Sequence, residues 1–203
     1  MRIPLQQSLF DDTGGRPDRH RTVLAGGAWV EHRPAWTAEP EDLFERLLRT
    51  VPWRAERRVM YDRMVDVPRM LAFYDTDDPL PDAVLDGARA ELVSWFGGEP
   101  GGPVSSVGLC LYRDGRDSVA WHGDTIGRGA TEDTVVAVVS LGQPRRFLLR
   151  PRGGGILHQF ELGGGDLLVM GGSCQRTWEH AVPKTRRAVG PRISVQFRPR
   201  GVR

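Results

Sequence analysis

The sequence predicts an α+β fold: a double-stranded β-helix (jelly roll) core with two preceding helices packed outside one sheet. Three observations predict it. Two segments in the first half of the chain repeat apolar residues at helical spacing. From Val104 onward, about eight short β-type runs follow one another, separated by Gly/Pro turns, as in an antiparallel sandwich or barrel. No unit recurs at a fixed period.

Residues 1–20 are polar and rich in Arg, Asp and Gly, and read as a flexible tail. Thr22 to His32 alternates loosely and reads as a strand bent at Gly26-Gly27. Thr37 can cap a helix running to about Thr50, with Leu43, Phe44, Leu47, Leu48 and Val51 as core positions. Pro52 ends it. Arg57 to Tyr74 is strand-like, with Asp66-Val67-Pro68-Arg69 as a turn or edge. A second helix spans about Asp82 to Phe96, with Val84, Leu85, Ala88, Leu92 and Val93 on one face. The run from Gly97 to Pro103 stops it. The β-type runs are Val104–Tyr112, Val119–Trp121, Val135–Leu141, Arg146–Arg150, Ile156–Leu162, Asp166–Met170, Arg176–His180 and Arg192–Phe197.

A chain of 203 residues fits one domain and is long enough to bury a core. Hydrophobic residues at 39% and charged residues at 27% are those of an ordinary soluble globule, expected to be a monomer. No apolar run is long enough to span a membrane, and Met1 to Gln7 lacks the apolar core of a signal peptide, so the cytoplasm is the expected location. Cys110 and Cys174 lie far apart, which argues against a disulfide framework and a thiolate zinc site. Lys184 is the only lysine, so 27 of the 28 basic residues are arginine. That bias reads either as GC-rich codon usage or as a surface that grips phosphates bidentately.

Residues i and i+2 of an extended chain face the same side, so His122 and Asp124 at a strand end can bind one ion. His180, near the end of a late strand, is available as a third ligand. Two histidines and a carboxylate are the ligand set of a non-haem Fe(II) site with open positions, although a lone His-x-Asp is most often structural. Arg192 and Arg198, six residues apart on one strand, face the same side. They either hold a dianionic co-substrate or form an exposed strand face. His20 falls in the tail, and His158 reads as a surface or core residue.

The spacing of these groups resembles the AlkB family of Fe(II)- and 2-oxoglutarate-dependent dioxygenases, which carry His-x-Asp, a distal His and then Arg-x-Asn-x-x-x-Arg. The resemblance spans roughly Arg57 to Arg198. It includes Leu111-Tyr112-Arg113-Asp114-Gly115, the stretch from Gly165 to Gly172, Trp178-Glu179-His180-Ala181-Val182-Pro183, and Pro191 to Arg198. It implies that His122, Asp124 and His180 bind Fe(II), with 2-oxoglutarate and O₂ as co-substrates. It assigns Arg192 to the distal carboxylate, Arg198 to the iron-proximal one, and Tyr112 and Ser194 to the co-substrate site. It divides residues 21–203 into a substrate-recognition and helical part, 21–103, and a jelly-roll core, 104–203. The implied reaction is oxidative demethylation of N-alkylated bases such as 1-methyladenine or 3-methylcytosine in DNA or RNA, releasing formaldehyde, succinate and CO₂. An oxygenase of a protein or small molecule and a non-catalytic jelly-roll binding module remain as alternatives.

Two departures bear on the co-substrate. Cys110 and Ser194 stand where the family usually has Asn, which removes two amides. A third bears on the base: Thr125-Ile126 follows Asp124 where many members have acidic residues. On the substrate side, Tyr61 either stacks on a flipped base or is an ordinary strand aromatic. Arg58, Arg63, Arg69, Arg113, Arg116 and Arg128 are phosphate-contact candidates or simply solvated. Trp121 is expected in the core. Gln6-Gln7-Ser8-Leu9-Phe10 resembles the Gln-x-Ser/Asp-Leu-Phe peptide that binds the bacterial replication sliding clamp. In that reading Leu9 and Phe10 fill an apolar pocket and Gln6 hydrogen-bonds at its rim; otherwise Leu9 and Phe10 fold onto their own domain.

Overall fold

The computed structural model describes residues 21–60 and 63–202. Gln6, Leu9 and Phe10, His20 and Tyr61 therefore lie outside the described residues. The segment from Arg21 to Arg33 is a hairpin rather than one bent strand: β1 (Arg21–Val23) pairs antiparallel with β2 (Ala28–Arg33). The cause is Gly26 and Gly27, whose φ values of 74° and 82° turn the chain through the left-handed region that glycine enters freely.

Helix α1 runs from Pro40 to Thr50, two residues later than a Thr37 cap requires, with Glu39 at the N-cap position. Ala35 and Glu39 both adopt positive φ, 52° and 48°, so the chain is still turning where the cap was expected. Pro40 then starts the helix, where its missing N–H costs nothing, and Glu41 and Asp42 suit the positive end of the dipole. Strands β3 (Arg54–Met60) and β4 (Arg63–Tyr74) form a long hairpin. Asp66 to Arg69 is neither turn nor edge but lies inside β4. There Val67, Pro68 and Arg69 stand opposite Glu56 alone, a bulge between the Arg57–Asp66 and Ala55–Met70 pairs. Pro68 cannot donate to a ladder, and its carbonyl accepts from the Ser118 N–H at 2.8 Å.

Helix α2 (Ala83–Phe96) starts as the sequence indicates, with the Asp82 side chain accepting from the Val84 N–H at 3.0 Å. Its buried stripe is Leu85, Ala88, Leu92 and Phe96; Val93 lies a turn-fraction away and is exposed. The remaining strands are β5 (Val104–Tyr112), β6 (Val119–His122), β7 (Val136–Gly142), β8 (Arg145–Pro151), β9 (His158–Leu162), β10 (Asp166–Gly172), β11 (Trp178–Val182) and β12 (Arg192–Pro199). The run Arg176–His180 divides. Cys174–Thr177 is a single helical turn, α3, closed by the Thr177 N–H and hydroxyl on the Ser173 carbonyl, and β11 begins only at Trp178. Ile156 and Leu157 are exposed after three glycines and precede β9.

Among the described residues all strand pairs are antiparallel and form two sheets, ordered β1-β2-β10-β7-β12-β5-β4-β3 and β6-β11-β8-β9. The two sheets make the jelly roll. Strand alternation gives the large sheet two apolar faces. Odd residues of β5 and β12, such as Leu109, Leu111, Ile193, Val195 and Phe197, pack against α1 and α2. Even positions face the small sheet, where Tyr112, Val138, Leu168 and Met170 meet Phe147, Leu149 and Leu162. Each fully buried Leu or Phe contributes roughly 1.5–3 kcal/mol of transfer free energy. Among the described residues, no helix is long and apolar enough to cross a membrane.

Candidate metal centre

His122 ends β6 and pairs directly with His180 of β11, so the ladder sets the two imidazoles side by side, with ring centroids 4.3 Å apart. Asp124 follows two residues after His122. One ligand atom from each of the three residues lies within 4.8 Å of the other two. Gly123 makes the short link possible: a Cβ there would press into the Gln175 carbonyl oxygen and approach Arg152.

Each member is prepared as a ligand. His122 Nδ1 sits 2.9 Å from the Ala120 carbonyl and 3.1 Å from the His180 carbonyl, so this nitrogen carries the proton and Nε2 keeps its lone pair. Burial pushes the His180 imidazole down to about 3, with His122 adding to the effect and Asp124 opposing it. It is therefore the neutral base a metal needs. Phe147 stacks on its ring at 5.2 Å. Burial alone would raise the Asp124 carboxyl, but Arg198 and then the two imidazoles outweigh it and hold it well below the usual carboxylate range. Arg198 Nη2 donates to Asp124 Oδ1 at 3.2 Å, while Oδ2 has only the 3.2 Å ion-pair approach of Nε and accepts no hydrogen bond. Beside that ion pair, the oxygen keeps lone pairs that no hydrogen bond uses, as a metal ligand requires. The Asp124 N–H donates to Gln175 Oε1 at 2.9 Å, which fixes the backbone beneath the carboxylate.

Beside these ligands, β12 runs between β5 and β7, with Arg192 opposite Tyr112 and Arg198 opposite Ser106. Arg192 is 1% exposed, so the exposed-face alternative does not hold for it. Its Nε donates to Ser140 Oγ at 2.8 Å, and both Nη atoms are buried without a hydrogen-bond partner. Its guanidinium carbon lies 5.2 Å from the Tyr112 ring centroid. Burial pushes the Tyr112 hydroxyl up to about 12, which leaves it a proton donor across the neutral range. Arg145, also buried, donates to the carbonyls of Asp114, Asp117 and Pro183 and so anchors the loop after Tyr112. A buried cation with unanswered donors costs several kcal/mol unless an anion joins it. Arg192 and Tyr112 thus fit one carboxylate of a small dianion, and the His-Asp-His cluster fits a divalent metal.

The other sequence candidates are placed differently. Arg69 is half-buried, donates to the Ser118 carbonyl at 3.2 Å and contributes charge near Tyr112. Arg128 is exposed but paired with Glu132 and the Arg200 carbonyl. Arg113 and Arg116 are held by Asp117 and Asp114. Trp121 is not core: it is half-buried under the Arg150 guanidinium at 3.9 Å. Arg150 in turn pairs with Glu179. A cleft of about 630 Å³ is lined by Phe73, Asp75, Asp77, Asp78, Ile126 and Arg200 among others, and by none of the three candidate metal ligands. Ile126 lies two residues past Asp124, and Ser106 joins the cleft to the Arg198 end of β12. Gln175, Ser140 and Phe147 were not singled out by sequence. None has a diagnostic spacing, because each acts through the fold rather than through a motif.

Comparison with known proteins agrees with this geometry. The family model described as 2OG-Fe(II) oxygenase superfamily matches residues 29–198. The chain is 31% identical over 183 residues to the alpha-ketoglutarate-dependent dioxygenase alkB homolog 3 of Bos taurus, covering 79% of this chain and 61% of that protein. It is 28% identical over 207 residues to the DNA oxidative demethylase ALKBH2 of Arabidopsis thaliana, covering 84% and 63%. The chain therefore spans about three fifths of the length of these curated relatives. A 2OG-Fe(II) oxygenase-family oxidoreductase of Burkholderia pseudomallei shares the fold, with a TM-score of 0.59 and 15% identity over 83% of this chain and 84% of that one.

Proposed function

Because this chain belongs to the 2OG-Fe(II) oxygenase superfamily, on its AlkB-like branch, we propose that it is an oxidative demethylase of N-alkylated nucleobases in DNA or RNA. The observation that carries the reading is the His122-Asp124-His180 cluster together with β12, which meets it through the Arg198–Asp124 pair and carries the buried Nη groups of Arg192 on the same strand. In this reading His122, Asp124 and His180 hold Fe(II). Arg192 and Tyr112 bind the distal carboxylate of 2-oxoglutarate, and Arg198 balances charge at its iron-proximal end. Bound together, iron and co-substrate supply an O₂-driven oxidation that yields succinate and CO₂. The chain's own part is to hold, orient and shield. Phe147 walls the His180 side, and the Arg198–Asp124 pair keeps the carboxylate ionised.

An N-methyl group on a pairing edge cannot reach a buried metal while its base stays stacked, so the base must be extruded. The base would then lie in the cleft that Ile126, two residues past Asp124, helps to line, with apolar Phe73 and Ile126 to contact it and carboxylates able to accept from an exocyclic amine. Tyr61 as a stacking partner, the division at residue 103, and sliding-clamp binding through Gln6, Leu9 and Phe10 belong to the same proposal. A fluorescent 1–15 peptide is expected to bind a bacterial clamp saturably; a flat titration rules the clamp out.

The central test is incubation with Fe(II), 2-oxoglutarate and an oligonucleotide carrying 1-methyladenine or 3-methylcytosine, measuring succinate and restored base. Both products are expected. Succinate without repair would favour a protein or small-molecule substrate. Neither product, from folded and iron-loaded protein, would favour a binding module. His122→Ala is expected to abolish both, and turnover at the parental rate in that variant would sink the iron assignment.

A further inference from the structure

Between Arg192 and Arg198, the site face of β12 carries Ser194 and Gln196, opposite Cys110 and Gly108 of β5. Gln196 is 8% exposed and folds back along its own strand. Its Nε2 donates to the Ser194 carbonyl at 2.8 Å and to Ser194 Oγ at 2.6 Å. Its Oε1 faces the Cys110 thiol, with Sγ 3.7 Å away. These neighbours fix the sense of the amide, since a flipped group would set oxygen against the Ser194 carbonyl. The space for it comes from Gly108, where a Cβ would stand 2.7 Å from Arg198 Nη1 and 3.1 Å from Gln196 Oε1.

We propose that Gln196 is a positioning residue for 2-oxoglutarate, acting through Ser194. A hydroxyl has one proton and two lone pairs. Gln196 occupies a lone pair with an N–H, so the Ser194 proton must point elsewhere. Ser194 stands between Arg192 and Arg198 on the same strand face, so this proton is available to a carboxylate oxygen of a 2-oxo acid held by the two arginines. The amides absent at positions 110 and 194 are thus replaced by one from a third position. Gln196 does not touch the metal; it aims a donor. The inference rests on the co-substrate reading above.

The test is calorimetric titration of 2-oxoglutarate into the full chain loaded with Mn(II), which reads binding without turnover. Gln196→Leu is expected to weaken binding about tenfold, and Ser194→Ala to do the same, as for one lost hydrogen bond to a charged group. The double variant should be no weaker than Ser194→Ala alone, because one residue acts through the other. In the iron enzyme, KM for 2-oxoglutarate should rise while kcat at saturation is retained. Gln196→Glu keeps the shape but not the donor, and serves if the leucine variant does not fold; it should bind at least tenfold more weakly. Parental affinity in either Gln196 variant, or losses that multiply in the double variant, would overturn the role of Gln196. Failure of the parent protein to bind 2-oxoglutarate would overturn the co-substrate reading instead.

Discussion

Arg192 shows how a single residue can cost stability and serve function. Its charge is buried, its Nε is answered by Ser140, and its two Nη groups make no well-formed hydrogen bond, with only the neighbouring Tyr112 to ease the charge. Replacing a buried, poorly compensated ion by an apolar side chain of similar volume is often neutral or stabilising. Arg192→Met is therefore expected to leave the apo melting temperature unchanged or raised, while 2-oxoglutarate affinity in the Mn(II) form falls about a hundredfold or more. A large drop in melting temperature with affinity intact would refute this. Two other buried groups set an alkaline limit. Burial, with Asp124 nearby, pushes the Cys174 thiol up from 9.0 to about 12, and burial pushes Tyr112 from 10.0 to about 12. In both cases the folded chain retains a proton that the unfolded chain releases. Their contribution is fully present below about pH 9 and is lost as pH rises toward 12, at up to roughly 1.4 kcal/mol per pH unit per group. Urea midpoints should fall between pH 9 and 10.5, and Cys174→Ala should delay the fall to above pH 10. At this scale the sequence was legible where residue type and spacing carry the chemistry, as at His122, Asp124, His180, Arg192 and Arg198. It was silent at Gln175, Ser140 and Gln196, whose roles arise from which strand or turn they meet.

β12 is the element through which core and site are coupled. It lies inside the eight-stranded sheet, paired with β5 and β7. Ile193, Val195 and Phe197 point to the helix layer, and Arg192, Ser194, Gln196 and Arg198 to the site. A slip of one residue would exchange the two sets, so burial of the odd face fixes the register of the even one. Phe197→Ala should cost about 3–5 kcal/mol in urea unfolding, since the side chain is fully buried. The His122–Asp124 link is the second such element. Gly123→Ala places a methyl against the Gln175 carbonyl and should lower Mn(II) affinity about 10–100-fold with both ligands still present. Unchanged affinity would show that the link tolerates a side chain. The helices and most core strands could be read from periodicity. The first hairpin, the bulge around Pro68 and the α3 turn could not, because glycine φ, a missing N–H and a local Ser173–Thr177 closure override alternation there.

The site also joins the two sheets. His122 and His180 stand on the small sheet, and Arg192 and Arg198 on the large one. Asp124 lies in the segment that passes from β6 to β7 and is tied to the large sheet through Arg198. The face between the sheets sets the lone pairs of His122, Asp124 and His180 on one side and the buried Arg192 guanidinium on the other. A divalent metal and a dicarboxylate satisfy both at once, and neither site exists once the sheets separate. Binding should therefore add directly to stability. At a hundred times Kd a single ligand contributes about 2.7 kcal/mol, which for a chain of this size is a rise of roughly 5–10 °C in melting temperature. Mn(II) and 2-oxoglutarate together should raise it further than either alone, because each lowers the cost of burying the other's partners. EDTA should reverse the whole shift. In His122→Ala the metal-dependent rise should vanish, while 2-oxoglutarate alone keeps whatever small effect it has through Arg192. If that variant still showed the full combined rise, the metal would be binding somewhere other than between the sheets.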